Sequence, residues 1–223
     1  MPDLTPERIA QGLTYYVVLL FSLSFHESAH AWMASRMGDD TARGLGRVTL
    51  NPAAHFDFIG TFVIPMIQIF GPGGIPLMGW AKPTPVQSRN FRPGMLARGQ
   101  VLVAGAGPVS NLALALVFTA ALFLAVRLGV ATVTAHDPVF ELIKTGVLIN
   151  VALAVFNMVP LPPLDGSWVA SWGLPRSIAE PYDRVMQPYG QFILLALFVT
   201  GILSWVVSPV IVGILQLLFR LAL

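Results

Sequence analysis

The sequence predicts an all-α polytopic membrane protein with about five to six transmembrane or re-entrant segments and a small membrane-associated β element. Of its 223 residues, 55% are hydrophobic and only 11% are charged, whereas a soluble domain carries about 25% charged residues. About 20 apolar residues cross a bilayer, and four stretches without Asp, Glu, Lys or Arg reach or approach that length: 9–25, 99–126, 145–164 and 185–219. Without repeats or low-complexity linkers, residues 1–223 are predicted to form one domain.

The first apolar stretch continues to Ser35 and contains an H-E-x-x-H motif. His26, Glu27 and His30 are the only His, Asp, Glu, Lys or Arg residues between Ile9 and Ser35. Because such groups are costly at bilayer depth, they mark a functional site. Residues four apart lie on one face of a helix, so both imidazoles can bind one metal ion. Glu27 then lies beside that ion as a general base.

The next part of the chain predicts short irregular elements. Residues 47–50 favour a short strand, and the proline-rich stretch 80–86 is extended and suited only to an edge. Residues 58–81 lack charges but contain prolines and the run Gly71–Gly74. A re-entrant pair of short arms that turns near this run is the favoured interpretation. A full, kinked membrane span is the alternative.

The remaining stretches predict membrane helices. Residues 99–126 form an outgoing helix whose small residues near Gly107 allow close helix packing, and 145–164 form a returning helix. Residues 189–223 form either one long helix kinked at Pro209 or a hairpin of two short helices. The catalytic core is expected to cover about residues 9–170.

The basic residues predict the orientation. Nine of the 13 Lys and Arg residues lie in three segments: Arg36, Arg43 and Arg47; Lys82, Arg89, Arg92 and Arg98; Arg176 and Arg184. The positive-inside rule places these segments in the cytoplasm. The protein is thus expected in the cell membrane, with its N-terminus outside and the histidine motif toward the cytoplasm. A net charge of +2 without a basic stripe argues against a nucleic-acid partner.

A catalytic zinc usually has three protein ligands and an open position. The chain has no cysteine, so the third ligand must be a histidine or a carboxylate. His136 falls in the predicted outer loop, on the wrong side. His55 is a second candidate. Asp165 is favoured because it ends a long uncharged run, where an unpaired carboxylate would be costly without a cation.

The motif around Asp165 carries a family resemblance. H-E-x-x-H on the first helix, together with N-x-x-P-x-P-x-x-D-G over residues 157–166, resembles the site-2 protease family of intramembrane metalloproteases, in its compact prokaryotic branch without a PDZ domain. The resemblance implies one zinc ion per chain, bound by His26, His30 and Asp165, with Glu27 as catalytic base and acid. It also implies that Asn157 binds the substrate backbone or the oxyanion. His55 would lie near the active site without being a ligand.

The function predicted from these features is zinc-dependent cleavage of transmembrane protein substrates near the cytoplasmic side of the lipid bilayer. Two alternatives remain at this point. The chain could be a membrane zinc-binding or transport protein, although the predicted ligands cluster at one end of the helices. It could also be a catalytically inactive relative, although Glu27 is present. The oligomeric state is not indicated.

Overall fold

A computed structural model of the chain describes residues 5–71, 79–134 and 137–223. Its first helix, α1, spans Pro6–Met37. The Thr5 hydroxyl accepts a hydrogen bond from the backbone N–H of Arg8 at 3.3 Å and caps the helix. Gly38 ends it in the left-handed conformation, with φ of +112°. At 32 residues, α1 is long enough to cross a bilayer and extend beyond it.

The segment after α1 is built from short turns. Helix α2 spans Thr41–Gly44, and a 3₁₀ turn spans Pro52–His55. A π-helical turn over Phe58–Val63 then continues directly into α3, Ile64–Phe70. Together the turn and α3 form an apolar arm, residues 58–70. The side chain of Asp57 caps this arm by accepting hydrogen bonds from the backbone N–H groups of Ile59 and Gly60.

The chain then returns to the point where this apolar arm began. The backbone N–H of Trp80 donates to the carbonyl oxygen of Gly60 at 3.2 Å. Gly60 and Trp80 therefore lie at the same level, which agrees with the re-entrant interpretation of residues 58–81 rather than with a traverse. Most of the predicted turn at Gly71–Gly74 falls in residues 72–78, outside the described part of the chain.

Two further long helices pack against α1. Helix α4 spans Leu96–Arg127 and α5 spans Pro138–Asn157. Both α1 and α5 pack antiparallel to α4. Leu19 of α1 and Ile149 of α5 share one buried cluster, while Ala34 of α1 packs with Val103 of α4 in another. The histidine motif therefore lies between three packed helices.

Three helices follow α5. Helix α6 spans Asp165–Gly173, α7 spans Arg176–Val199 and α8 spans Ile202–Ala222. The last helix packs along α4 and α5 through Ala115, Val147 and Leu218.

The C-terminal region forms two helices, as in the second predicted alternative for residues 189–223, but the first of them begins earlier, at Arg176. Its break lies at Gly201, where φ is +77°, and not at Pro209, which lies inside α8. Glycine adopts this left-handed conformation without steric penalty, so the chain can reverse there.

The all-α prediction is confirmed for the described residues, and the β prediction is wrong. Four helices, α1, α4, α5 and α8, are long and apolar enough to span a membrane, and Phe58–Phe70 forms a shorter apolar helix. Residues 5–71, 79–134 and 137–223 contain no strand. Pro83 and Pro85 have no N–H to donate to a ladder, while the N–H of Arg47 closes the turn on Ala42.

The basic segments lie at one end of the helix bundle. They follow α1, precede α4 and follow α5, and these three helix ends point the same way because α4 runs antiparallel to the other two. We call this end, which also carries the histidine motif, the motif end. The α4–α5 connection and the start of α1 lie at the opposite end.

Candidate metal centre

His26 and His30 lie one turn apart on the buried face of α1, with 5% and 7% of their surfaces exposed. Their rings contact each other edge to face, with centroids 4.6 Å apart. Each ring donates from Nδ1: His26 to the amide oxygen of Asn111 at 2.6 Å, and His30 to the carbonyl oxygen of Val103 at 2.7 Å. A neutral ring with its proton on Nδ1 has a free lone pair on Nε2, so in this tautomer both Nε2 atoms can bind a cation.

The carboxylate of Asp165, the first residue of α6, lies opposite the two Nε2 atoms. Its Oδ2 lies 3.1 Å from Nε2 of His26 and 3.4 Å from Nε2 of His30. This oxygen is buried and has no hydrogen-bond donor in the described chain. With both rings neutral, the three facing atoms each present a lone pair, an arrangement that a bound cation stabilises.

The distances fit a zinc ion. Ligand atoms about 2.0 Å from a tetrahedral zinc lie about 3.3 Å from one another, close to the 3.1 Å and 3.4 Å observed here. The donor set of two neutral imidazoles and one carboxylate is also a known catalytic zinc set, and it leaves a fourth position open. The residues present therefore fit zinc.

Glu27 lies beside the two histidines. Ligand atoms of His26, Glu27 and His30 all lie within 4.8 Å of one another. The carboxylate Oε2 of Glu27 accepts a hydrogen bond from the backbone N–H of Thr84 at 2.8 Å, and the Thr84 hydroxyl donates to the Glu27 carbonyl at 2.9 Å. The extended segment 80–86 thus crosses the site and holds Glu27 in position.

Helix α4 approaches the centre at Gly107. A β-carbon at this position would lie only 2.4 Å from Nε2 of His30 and 2.6 Å from Nε2 of His26. No larger residue fits without displacing an imidazole. Glycine at this position therefore creates the space in which the two Nε2 atoms and a metal ion can meet.

His55 and Asn157, the other predicted site residues, have hydrogen-bond partners of their own within the fold. His55 is 1% exposed, its Nε2 donates to the Thr49 carbonyl at 2.8 Å, and its own carbonyl accepts from the N–H of Lys82 at 2.8 Å. It supports segment 80–86 and is not among the clustered metal-binding groups. Asn157 donates within its own helix, to the Leu153 carbonyl at 2.9 Å. His136 lies outside the described residues.

Three residues at the centre were not predicted to have a role: Thr84, Asn111 and Asn150. The contact of Thr84 with Oε2 is made by its main chain, which leaves no trace in side-chain patterns. The two asparagines did carry a signal. Each is an amide within an uncharged stretch predicted to span the membrane, where polar side chains are retained for pairing with one another.

The comparisons with known proteins agree with this chemistry. The model of peptidase family M50 matches residues 14–136, which include the H-E-x-x-H motif. The chain is 37% identical over 196 residues to "Putative zinc metalloprotease YwhC" of Bacillus subtilis, covering 87% of this chain and 84% of that protein. It is 31% identical over 202 residues to "Putative zinc metalloprotease Rip2" of Mycobacterium tuberculosis, covering 87% and 70%. No solved structure matches it. The chain therefore belongs to peptidase family M50, the site-2 protease family, and is a zinc metalloprotease of the membrane.

Proposed function

We propose that this protein is an intramembrane endopeptidase that hydrolyses peptide bonds in transmembrane protein substrates near the cytoplasmic side of the cell membrane. One zinc ion per chain is bound by His26, His30 and Asp165. The observation that supports this most directly is the unpartnered Oδ2 of Asp165, which faces Nε2 of both histidines at 3.1 Å and 3.4 Å. The zinc ligands and Glu27 lie at one end of an apolar helix bundle, which suits a substrate that is itself in the membrane.

Glu27 is the group that moves the proton. Bound zinc supplies Lewis acidity, which allows water to be deprotonated near neutral pH and polarises the scissile carbonyl. Glu27 accepts the proton from the attacking water and donates it to the leaving amine. The hydrogen bond from Thr84 engages only Oε2, so Oε1 remains for this transfer. Asn157 is the proposed side chain for the substrate backbone or the oxyanion: one N–H of its amide donates to the Leu153 carbonyl, and the second N–H remains to donate to the substrate.

Segment 80–86 is the proposed docking edge for an unwound substrate. The N–H groups of Trp80, Lys82 and Thr84 donate to Gly60, His55 and Glu27 respectively. Since alternate residues of an extended chain face the same edge, these bonds occupy one edge only. On the other edge, Pro83 and Pro85 have carbonyls but no N–H. A substrate strand would therefore bind there by donating its own N–H groups.

The proposed orientation places the motif end in the cytoplasm and the N-terminus outside. It is supported by the nine basic residues near the motif end. The chain has no cysteine, so single cysteines can be added without first removing native ones. In intact cells, a membrane-impermeant maleimide should label T132C in the α4–α5 connection and leave T41C, at the motif end, unlabelled. The reverse pattern would contradict the orientation.

The enzyme itself is tested with Glu27→Gln. Purified in detergent, this variant should keep one zinc per chain but lose cleavage of a transmembrane peptide by at least about 100-fold, since general acid–base catalysis contributes that much or more. A chelator should abolish cleavage by the unmodified protein, and added zinc should restore it. Zinc binding without cleavage in the unmodified protein would favour a transporter or an inactive relative. Unchanged cleavage by Glu27→Gln would refute the role of Glu27.

A further inference from the structure

Two buried amide side chains and one serine connect the zinc ligand His26 with the two neighbouring helices. Its members are Ser22 of α1, Asn111 of α4 and Asn150 of α5, each with 0% of its surface exposed. Asn111 is the residue that accepts from His26 Nδ1. No hydrogen bond of this group, which we call the amide relay, involves Glu27 or Asp165. Asn111 is hydrogen-bonded to Nδ1 of His26, the ring nitrogen that faces away from the metal position.

The relay has a fixed direction because it begins at a group that can only accept. The Asn150 amide donates from Nδ2 to the main-chain carbonyl of Gly146 at 2.9 Å and to the Ser22 hydroxyl at 2.9 Å. A carbonyl cannot donate, so Nδ2 of Asn150 must face it. The opposite atom, Oδ1 of Asn150, is thereby turned toward Asn111.

The same argument orients Asn111. Its Nδ2 donates to Oδ1 of Asn150 at 2.8 Å and to the Ser22 carbonyl at 3.3 Å. Both are acceptors, so the amide cannot be reversed without two repulsive contacts. Its Oδ1 is consequently presented to Nδ1 of His26, 2.6 Å away. That contact requires a proton on Nδ1 and leaves the Nε2 lone pair for the metal.

We propose that Asn111 and Asn150 are positioning residues for zinc binding: together they fix the tautomer and the ring orientation of His26. This inference rests on the proposed function, in which His26 is a zinc ligand. His30 has no equivalent relay, because its Nδ1 donates to the main-chain carbonyl of Val103. Side-chain substitutions can therefore perturb the support of only one of the two imidazoles.

The test measures zinc affinity of the purified full-length protein by competition with a chromophoric chelator, without any cleavage assay. Asn111→Leu removes the acceptor at similar volume and should weaken zinc binding by about 10- to 100-fold, the usual effect of losing such a partner. Asn111→Asp keeps an oxygen opposite Nδ1 and should retain more affinity than Asn111→Leu. The metal-free Asp variant should nevertheless be no more stable than the Leu variant, because a buried carboxyl group is costly there.

Asn150→Leu supplies a second variant that touches no group in contact with the metal position. It should weaken zinc binding to an intermediate degree, because Asn111 loses one of the two acceptors that orient it. Thr119→Val is the matched control: Thr119 is also buried in α4, and its hydroxyl donates only to the Ala115 carbonyl. This control should leave zinc affinity unchanged.

The possible results separate the relay from the proposed function. Equal zinc affinities for Asn150→Leu and Thr119→Val would overturn the relay, as would equal losses in the Leu and Asp variants of Asn111. Cleavage failure in an unmodified protein that binds zinc would overturn the protease proposal but leave the relay intact. An unmodified protein that binds no zinc would overturn both.

Discussion

The main-chain N–H of Thr84 donates to the carboxylate of Glu27 at 2.8 Å, while the Thr84 hydroxyl donates to the Glu27 carbonyl at 2.9 Å. One residue of the extended segment 80–86 therefore holds both the side chain and the backbone of the general base. The first contact is available to any residue except proline. The second requires a hydroxyl.

Substitution of Thr84 by valine should lower the cleavage rate without changing zinc content. The valine keeps the shape and the N–H but loses the hydroxyl bond to Glu27, and one such bond corresponds to about a fivefold change in rate. Thr200→Val is the control, because that hydroxyl also donates to main-chain carbonyls but lies on the α7–α8 turn. Equal cleavage rates for the two valine variants would show that the Thr84 hydroxyl is dispensable.

Gly107→Ala should impair zinc binding. Its β-carbon would lie 2.4 Å from Nε2 of His30, so an imidazole must move, and we expect at least about a tenfold loss of zinc affinity. Gly105→Ala adds the same methyl group one half-turn away on α4, where no atom lies within 4 Å. Measured by chelator competition, the control should bind zinc normally. A Gly107→Ala protein with normal affinity would mean that the metal is bound elsewhere.

Asp165→Ala should lose most of its zinc together with activity, because only two protein ligands would remain. Metal analysis by mass spectrometry of the purified protein measures this directly. Asp183→Ala is the comparison, since Asp183 is another partly buried carboxylate, which accepts from Ser171 where α6 meets α7. Full zinc occupancy in Asp165→Ala would exclude Asp165 as a ligand.

The hydrogen bonds to Asp137, in the α4–α5 connection, make the stability of the protein depend on pH. Hydrogen bonds from the backbone N–H groups of Phe140, Thr132 and Val139 and from the Thr132 hydroxyl hold the pKa of this carboxyl at about 2, below its usual 3.8. A carboxyl whose pKa is lower in the folded state than in the unfolded state stabilises the fold. This stabilisation is complete at a pH above the unfolded-state pKa and is lost as the pH falls through the folded-state pKa.

The midpoint of thermal unfolding should therefore be higher for the unmodified protein than for Asp137→Asn at pH 5. The difference between them should shrink from about pH 4 downward and disappear below about pH 2. Both proteins are measured in detergent with the metal removed, so that zinc release at low pH does not contribute. A difference that stays constant over this range would contradict the assignment.

The sequence predicted those site residues whose ionisable side chains are unfavourable to bury without a partner. His26, Glu27, His30 and Asp165 stood out because ionisable groups in apolar stretches need a partner, and the structure brings all four together. The Thr84 contact could not be foreseen from residue types, because its N–H is a main-chain group.

The errors in the fold have physical causes too. Residues 47–50 and 80–86 have strand-like composition, but Pro83 and Pro85 lack the N–H donors that a ladder needs. Segment 80–86 instead donates to single carbonyls of the 3₁₀ and π-helical turns. Two helices were one predicted alternative for residues 189–223, but the position of the break, at Gly201, was not predicted because residues 185–219 are uniformly uncharged. Pro209 attracted attention instead, yet proline is tolerated inside membrane helices.

The two imidazoles differ in their anchors: His30 donates a hydrogen bond to the main-chain carbonyl of Val103, whereas His26 donates one to the side chain of Asn111. Every amino acid supplies the same peptide oxygen, so sequence drift at position 103 leaves the first anchor in place. At position 111 the anchor is a side chain, so a substitution there removes it. Natural variation in how firmly these enzymes hold their metal should therefore be traceable to His26 and its amide neighbours, with His30 as the constant reference.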